Sequence, residues 1–194
     1  SLGLHPFRCE RSSVIIIADV ISLYPESMYT DGMSVIVAKR PRLPVACLDP
    51  RIKSLNYLNN ILAKIEAIDV GVLEAIMLNT EGLVAECTGD NIFIIKDGVI
   101  LTPGTEAGML HGITRQYVID TVAPALGYTI EERSLQVEDV KGADEVFLTG
   151  TAAEIIGVSS IDGDQVGSGV VGPVTSALAA EFTRLVRKER APED

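Results

Sequence analysis

The sequence predicts an α+β fold, and three observations carry that prediction. Short runs rich in apolar residues recur along the chain, as in residues 33–39, 74–79 and 91–96. Acidic–glycine pairs follow several such runs, which is typical of tight hairpin turns. Residues 56–71 and 174–187 instead carry apolar residues at helical spacing. Many short strands and two or three helices therefore make up the predicted domain.

The strand pattern begins at residues 14–18, where an almost wholly apolar block predicts a strand buried on both faces. Pro25 then interrupts regular structure, and the prolines of residues 41–44 indicate an exposed, extended stretch. Glu81-Gly82, Asp97-Gly98 and Asp162-Gly163 predict turns. Further strands are expected at residues 83–86, 99–102, 128–133, 145–149 and 155–161.

Two internal segments predict helices that precede or follow these strands. Residues 56–71 form the first, ended by Gly71. One stripe of this helix is expected to face the core, and it contains Leu58, Ile61, Leu62, Ile65 and Ile68. The residues expected to face away are Asn60, Lys64 and Asp69. The second helix is expected at residues 114–126, with Pro124 weakening its last turn.

Composition excludes several classes of function. The chain has 194 residues, enough for one large domain or for one domain with a remnant of another. A net charge of −11 disfavours nucleic acid and anionic membranes as partners. Three cysteines and two histidines, widely spaced, predict reduced thiols in a cytoplasm and no metal site. The longest apolar run, residues 14–20, contains Asp19 and is too short to span a bilayer.

Two charged residues are candidates for chemistry. Lys53 precedes the first long helix, and an amine in such a junction becomes a nucleophile toward carbonyls when it is desolvated. Glu86 ends a predicted strand among small residues, where a carboxylate could accept a proton from a heterocyclic nitrogen. Each also has a plain alternative, because a solvated surface lysine or a turn-adjacent acid would have the same local sequence.

Two glycine-containing motifs are candidates for anion binding. Gly112-Ile113-Thr114 opens a predicted helix, whose free N–H groups and hydroxyl could hold a phosphate. The alternative there is ordinary N-capping by Thr114. Thr151, with Ala152 and Ala153, follows a buried strand and could bind an anion through its hydroxyl and the next N–H groups. The alternative there is a packed turn.

Taken in order, these motifs resemble a known family. The runs are KSLNYL at residues 53–58, Glu86 with GDNIF at 89–93, GITR at 112–115 and FLTGTAAE at 147–154. Together they are similar to the class IV (fold type IV) pyridoxal-phosphate aminotransferases, and most of all to the branched-chain amino-acid aminotransferases. The resemblance extends over about residues 1–183 and includes GPVT at 172–175.

The resemblance implies a role for each motif. Lys53 would hold pyridoxal 5'-phosphate as a Schiff base and move the proton during catalysis. Tyr57 would hydrogen-bond the phenolic oxygen of the cofactor, and Glu86 would pair with its pyridine nitrogen.

The remaining motifs would bind anionic groups. Those implied to hold the phosphate are Gly112, Ile113, Thr114 and Thr151. Thr151, with the backbone of Ala152 and Ala153, would bind the substrate carboxylate.

The resemblance also implies a reaction and a setting. The expected reaction is transamination between a branched-chain L-amino acid and a 2-oxo acid, usually 2-oxoglutarate. The expected partners are therefore small molecules, in a cytoplasmic homodimer or higher homo-oligomer. Two related activities stay open, D-amino-acid transamination and aminodeoxychorismate lysis. A third alternative is a non-catalytic fragment that retains the fold.

The family comparison divides the chain unevenly. Residues 1–22 would be the remnant of an N-terminal small domain, 23–27 the interdomain linker, and 28–194 the large cofactor-binding domain. That large domain is expected to be a barrel-like sheet of many short strands with flanking helices. Most of the small domain would be missing, so a fragment of this kind is expected to turn over poorly.

Overall fold

A mixed nine-stranded β-sheet forms the centre of the described chain. The computed structural model describes residues 4–9, 11–21 and 23–190, with side chains up to 188. Parts of the predicted remnant (1–3, 10 and 22) and of the predicted large domain (191–194) lie outside the described residues. The strands are β1 Met33–Val37, β2 Glu74–Leu78, β3 Val84–Cys87, β4 Asn91–Lys96, β5 Val99–Thr102, β6 Ile130–Glu132, β7 Glu145–Gly150, β8 Glu154–Ile161 and β9 Asp164–Gln165.

The sheet curls so that its two edges approach each other. Its order is β3-β2-β1-β8-β7-β4-β5-β6, with β9 paired to β8. Strand β1 runs parallel to both β2 and β8, and β5 runs parallel to β6, whereas the other pairs are antiparallel. The Val84 N–H on edge strand β3 donates to Leu135 O, 2.9 Å away and just after the other edge strand. The α+β, barrel-like architecture expected from the sequence is confirmed.

Six α-helices lie around this sheet in the described chain, and none is long and apolar enough to cross a membrane. A π-helical turn, Val118–Val122, joins α3 to α4 into one continuous helical stretch ending before Gly127. The helices are α1 Ser27–Asp31, α2 Leu58–Asp69, α3 Ile113–Tyr117, α4 Ala123–Ala125, α5 Val137–Lys141 and α6 Pro173–Arg190. Short 3-10 turns occupy Pro6–Arg8 and Thr105–Ala107.

The π-helical turn has a local cause in the sequence. Pro124 has no N–H to donate to the preceding turn, so regular α-helical hydrogen bonding cannot continue through it. The irregularity therefore falls just before Pro124, in the middle of the helix predicted for residues 114–126.

Apolar side chains fill both faces of the sheet. Phe93 and Phe147 from neighbouring strands stack with ring centroids 4.8 Å apart, beneath the helices α3 and α6. The opposite face encloses a larger cluster that includes Met33, Ile76 and Leu148. This packing holds the loops between the strands in fixed positions around one cavity.

The predicted acidic–glycine hairpins are confirmed. Asp97 and Gly98 have φ of 50° and 78° between β4 and β5, the left-handed conformation that a two-residue hairpin of this type needs. Asp162 and Gly163 have φ of 53° and 85° between β8 and β9. Glycine and aspartate tolerate this conformation better than most residues, which is why the turns were visible in the sequence.

The prediction of a buried strand at residues 14–18 is wrong. These residues belong to no strand of the described sheet, and Ile16 is 88% exposed. Strand formation requires a partner for the backbone N–H and C=O groups, and residues 14–18 pair with no strand of the described sheet. The apolar composition therefore indicates a surface with no partner in the described chain.

The predicted orientation of α2 is also wrong. Its fully buried residues are Ala63 and Ala67, which pack on β2 through Ala75 and Met77. Most of the apolar stripe expected in the core is exposed instead, namely Leu58, Ile61, Ile65 and Ile68. Small side chains allow the helix to lie close to the sheet, so the polar residues between them turn inward as well. Lys64 contacts Glu74 on β2 at 3.2 Å.

Candidate active site

Lys53 lies in the loop that leads into α2, with its amine directed at Tyr57. Lys53 Nζ donates a hydrogen bond to Tyr57 Oη at 2.8 Å and lies 5.4 Å from the centre of the tyrosine ring. Tyr57 is the residue immediately before α2, so the start of the helix fixes the position of its ring. The lysine side chain itself is exposed, which leaves the amine accessible to a ligand.

Glu86 occupies a buried position on β3 and is held at both carboxylate oxygens. The residue is only 5% exposed. Its Oε1 contacts Arg42 Nη2 at 2.8 Å, and its Oε2 accepts a hydrogen bond from the Leu110 N–H at 3.0 Å. Burial raises the pKa of Glu86 above its usual value, while the charges of Arg42 and Lys53 and the Leu110 N–H act in the opposite direction.

A cavity of about 210 Å³ brings most of the predicted residues together. From the predicted set, the residues that line it are Lys53, Glu86, Gly112, Ile113, Thr114 and Thr151. Tyr57 lines an adjoining recess, and Lys53 and Glu86 line both the recess and the cavity. Residues from loops, strands and a helix start, distant in sequence, therefore meet around one space.

The start of α3 forms one wall of the cavity. Gly112 is the N-cap residue, and Thr114 makes no capping hydrogen bond, so the interpretation of Thr114 as a helix cap is wrong. The first N–H groups of a helix have no partner within the helix and attract anions. A Cβ on Gly112 would collide with Asn91 Oδ1, so only glycine allows this close approach.

The turn after β7 forms another part of the cavity wall. Thr151 is exposed and lines the cavity. Ala152 is also exposed, whereas Ala153 is fully buried, and neither side chain lines the cavity. The role expected for the Ala152–Ala153 backbone stays a prediction. Gly150 lies against Asp90, because a Cβ there would collide with Asp90 Oδ1.

Sequence reasoning missed several polar residues at the site. Arg42 was expected in an exposed stretch, yet its side chain is mostly buried against Glu86. Asn91 donates to Leu110 O at 2.9 Å and so ties β4 to the loop before α3. Tyr24 Oη, from the predicted linker, donates to Asp90 Oδ2 at 2.9 Å. No local signal marks Arg42 or Tyr24, because their partners are distant in sequence, and Asn91 lies in the GDNIF run but was assigned no role.

Asp90 is a second buried carboxylate on the cavity wall. Burial and the nearby charge of Glu74 raise its pKa to about 6, with Tyr24 and Lys64 acting in the opposite direction. Glu74 is itself fully buried and contacts Lys64, the Ala75 and Thr88 N–H groups, and the Thr88 hydroxyl. This part of the site therefore carries two carboxylates, Asp90 and Glu74, beside one cation, Lys64.

The chain belongs to a family of aminotransferases. Residues 1–161 match the family model described as amino-transferase class IV. A fold of the same kind is found in solved structures at substantial sequence identity. The branched-chain amino acid aminotransferase of Escherichia coli superposes with a TM-score of 0.82 at 37% identity, covering 87% of this chain and 56% of that one.

Individual relatives of this chain are named as branched-chain amino-acid aminotransferases. A Methanocaldococcus jannaschii protein named "Putative branched-chain-amino-acid aminotransferase" is 45% identical over 181 residues, 93% of this chain and 62% of its own length. The branched-chain-amino-acid aminotransferase of Pseudomonas aeruginosa is 48% identical over 130 residues, 67% of this chain and 42% of its own. The branched-chain enzyme of Thermobaculum terrenum, solved in its PLP-form, has a TM-score of 0.78 at 38% identity, covering 80% of this chain and 51% of that one. The chain thus spans between about two fifths and three fifths of these relatives.

The residues present fit a phosphorylated pyridine aldehyde. Thr149 Oγ1 is a buried polar atom on the cavity wall with no hydrogen-bond partner in the described chain. With Thr114, Thr151 and the helix start, it forms a set of uncharged donors suited to a phosphate. Glu86 supplies an acceptor for a ring N–H, and Lys53 supplies an amine for an aldehyde.

Proposed function

We propose that this chain is the cofactor-binding part of a pyridoxal-phosphate-dependent aminotransferase. The reaction would move an amino group between a branched-chain L-amino acid and a 2-oxo acid such as 2-oxoglutarate. The observation that carries the proposal is a single cavity lined by an accessible lysine amine, a buried carboxylate and several hydroxyl groups. Family membership supports it independently.

The bound cofactor supplies an electrophilic aldehyde carbon and a ring that withdraws electrons. Lys53 is the group for covalent attachment, and its amine would then hold and return the proton of the substrate Cα. Tyr57 Oη accepts a hydrogen bond from that amine and so orients it. Glu86 would hold a proton on the ring nitrogen, because an ionised carboxylate favours the cationic form of a neighbouring base.

The hydroxyl groups and the helix start would bind the phosphate of the cofactor. Thr114 and Thr151 both line the cavity, and their hydroxyl groups would bind one anion, with Gly112 and Ile113 at the helix start. Thr151 and the Ala152–Ala153 backbone would also receive the substrate carboxylate. Lys53 lines the same cavity, so its amine would be available to the aldehyde of a cofactor held in this way.

The branched-chain donor is supported by the names and titles of the relatives. A structure from Thermoproteus uzoniensis, described as a branched-chain aminotransferase with norvaline, is 39% identical with a TM-score of 0.79. Another branched-chain enzyme, 39% identical with a TM-score of 0.77, has been solved in complex with 4-methylvaleric acid. The alternatives are D-amino-acid transamination, aminodeoxychorismate lysis and a non-catalytic chain that retains the fold.

We further propose that the whole protein has a small domain and forms a cytoplasmic homodimer or higher homo-oligomer. Residues 1–22 would be the end of that small domain, 23–27 the linker and 28–194 the large domain. The exposed apolar segment around Ile15 and Ile17 supports this division, since it has the composition of a buried strand.

The test is covalent trapping of pyridoxal phosphate. The purified chain is incubated with the cofactor, reduced with borohydride and digested, and the modified peptide is identified by mass. We expect the label on Lys53, and we expect Lys53→Ala to lose it while unfolding at the same temperature, because the side chain is exposed. Lys39→Ala, at another exposed lysine, is the matched control and should keep the label.

The donor is tested by adding L-leucine or D-alanine before reduction. Loss of the Lys53 label with L-leucine alone would support the branched-chain assignment, and loss with D-alanine alone would support the D-amino-acid alternative. Pyruvate release from aminodeoxychorismate would identify the lyase. Labelling of many lysines equally, with none favoured, would contradict the proposed function. The same assays on a chain extended at its N-terminus would show whether the small domain is needed.

A further inference from the structure

Glu86 is a buried carboxylate, and its own strand, β3, supplies no positive group to stabilise its charge. A carboxylate buried to this extent is destabilised in its charged form, and it tends to take up a proton. A neutral carboxylic acid could not favour a cationic base in the cavity. Something in the chain must therefore offset the cost of keeping this side chain ionised.

Arg42 contacts Glu86 more closely than any other charged residue in the described chain. Its Nη2 lies 2.8 Å from Glu86 Oε1, and the two side chains are 11% and 7% exposed. A guanidinium stays protonated at all ordinary pH values, so it remains a positive charge even when buried. Solvent screens this pair far less than it would screen a surface pair.

Arg42 is itself held in place from two other elements. Its Nη1 donates to Asn60 Oδ1 on α2 at 3.0 Å, and Asn60 Nδ2 donates to Thr88 O, just past β3, at 2.8 Å. The Arg42 backbone N–H donates to Leu78 O at the end of β2. These hydrogen bonds fix the guanidinium independently of Glu86.

The charge environment of Glu86 includes four further groups. Lys53 attracts the charged carboxylate, and the Leu110 N–H and Asn91 Nδ2 donate to Oε2 at 3.0 and 3.4 Å. Asp90 acts in the opposite direction. Of the positive groups, Arg42 is the buried one, because Lys53 is exposed and has its amine bonded to Tyr57. Arg42 therefore carries most of the compensation.

The ion pair is not explained by stability alone. Arg42 Nε is buried with no hydrogen-bond partner in the described chain, which is unfavourable. Replacing a buried ion pair by apolar residues of similar size is often neutral or stabilising. A charged pair kept at this cost beside a cavity indicates a function for the charge.

We propose that Arg42 is a positioning residue that keeps Glu86 ionised and fixed toward the cavity, so that Glu86 can hold a protonated ring nitrogen. Its action on Glu86 needs no bound molecule, whereas the identity of the ring nitrogen rests on the proposed function. Arg42 does not itself line the 210 Å³ cavity, and it acts through Glu86.

The direct test is the titration of Glu86 in the chain without added ligand. Carboxyl carbon NMR, with Glu86→Gln to assign the signal, would follow Glu86 in Arg42→Met, Arg42→Lys and Arg40→Met. We expect the midpoint in Arg42→Met to move upward by about 1 to 3 pH units, because an opposite charge within hydrogen-bonding distance has been removed. Arg42→Lys should move it upward by less, since lysine keeps the charge but loses the planar fork.

Arg40→Met is the matched control. Arg40 is nearly half exposed and lies 4.0 Å from Glu66, so its loss should leave the Glu86 midpoint in place. An unchanged midpoint in Arg42→Met would overturn the proposal. Should Arg42→Met fail to fold by circular dichroism, Arg42→Lys decides, because an unchanged midpoint in that variant would likewise overturn it.

A second readout separates this proposal from the proposed function. With pyridoxal phosphate added, the visible absorbance of Arg42→Met should change with pH around a lower midpoint than the parent, while borohydride still labels Lys53. A raised Glu86 midpoint in Arg42→Met, in a chain that takes up no cofactor, would support the proposed role of Arg42 and count against the proposed function. An unchanged Glu86 midpoint in Arg42→Met, together with a label on Lys53, would support the proposed function and overturn the role of Arg42.

Discussion

Two buried carboxylates near the end of β3 show how neighbours decide the state of the same chemical group. Glu86 faces Arg42 and a backbone N–H, which favour its charged form. Asp90 faces Glu74, and Tyr24 Oη donates to it. The pKa of Asp90 is raised to about 6, so at neutral pH it is held charged at a cost to the fold.

The raised pKa of Asp90 predicts that the free energy of unfolding depends on pH through this residue. Its folded pKa of about 6 lies above the unfolded value of 3.8, so the folded state binds more protons between these pH values. The contribution of Asp90 to the free energy of unfolding is therefore greatest below about pH 4. It falls by on the order of 2–3 kcal/mol as the pH rises to about 6. Asp90→Asn should remove that fall, because asparagine can still accept from Tyr24 and carries no charge.

The measurement is urea unfolding followed by circular dichroism at several pH values from 4 to 7. The quantity that matters is the difference between parent and variant, since other carboxylates cancel in it. Asp69→Asn, at an exposed aspartate, is the control and should give a nearly constant difference. A constant difference for Asp90→Asn as well would show that Asp90 titrates alike in the folded and unfolded chains.

At this scale the sequence predicted the residues whose local motifs carry a chemical signature. Lys53 precedes a helix, Thr114 lies at a helix start and Glu86 lies near the end of a strand, so each was visible from its neighbours in the chain. Arg42 and Tyr24 were not visible, because they contact residues 44 and 66 positions away. Long-range pairing of this kind depends on the sheet order, which no local pattern contains.

Helix α2 shows why an apolar stripe does not by itself identify the buried face. Ala63 and Ala67 touch the sheet, while the larger Ile61 and Ile65 point outward. Alanines permit a shorter distance between the helix and the sheet, and that distance brings Lys64 and Asn60 into contact with the site. Helical spacing was predicted correctly, but the rotation of the helix about its axis was not.

The orientation of α2 predicts losses of stability of different size for two substitutions. Ala67→Leu should lower the free energy of unfolding by about 1–3 kcal/mol, because the added atoms have no space against the sheet. Ile65→Ala should lower it by less than about 1 kcal/mol, because Ile65 is 45% exposed. Urea unfolding of both variants measures this. A loss of several kcal/mol for Ile65→Ala would instead place that side chain in a core.

Strands and turns differ in how well the sequence predicts them. The Asp97-Gly98 hairpin was predicted because its conformation is set by the two residues themselves. A strand also needs partners, and residues 14–18 have the composition of a strand without a partner in the described sheet. The element-scale errors thus fall where the structure depends on a neighbouring surface and not on the segment.

For the whole molecule, the exposed apolar segment around residues 14–21 is the least expected feature. Ile15, Ile16 and Ile17 are each more than four fifths exposed and lie consecutively in the chain. Single exposed apolar residues are ordinary, but a contiguous patch marks a surface that packs against another. The chain also spans only part of the length of its relatives, so its proposed small domain is a candidate to cover this surface.

The segment should therefore govern association of the chain and not its folding. We expect the double variant Ile15→Ser/Ile17→Ser to reduce concentration-dependent association in sedimentation velocity and to lower the fluorescence of an apolar dye. Its free energy of unfolding should stay within about 0.5 kcal/mol of the parent, because neither side chain packs on the sheet. Val170→Ser, at an isolated exposed residue, should change neither association nor dye binding. If the double variant instead unfolds more easily while associating as before, residues 14–21 pack on the domain itself, and the proposed division at residues 23–27 loses its support.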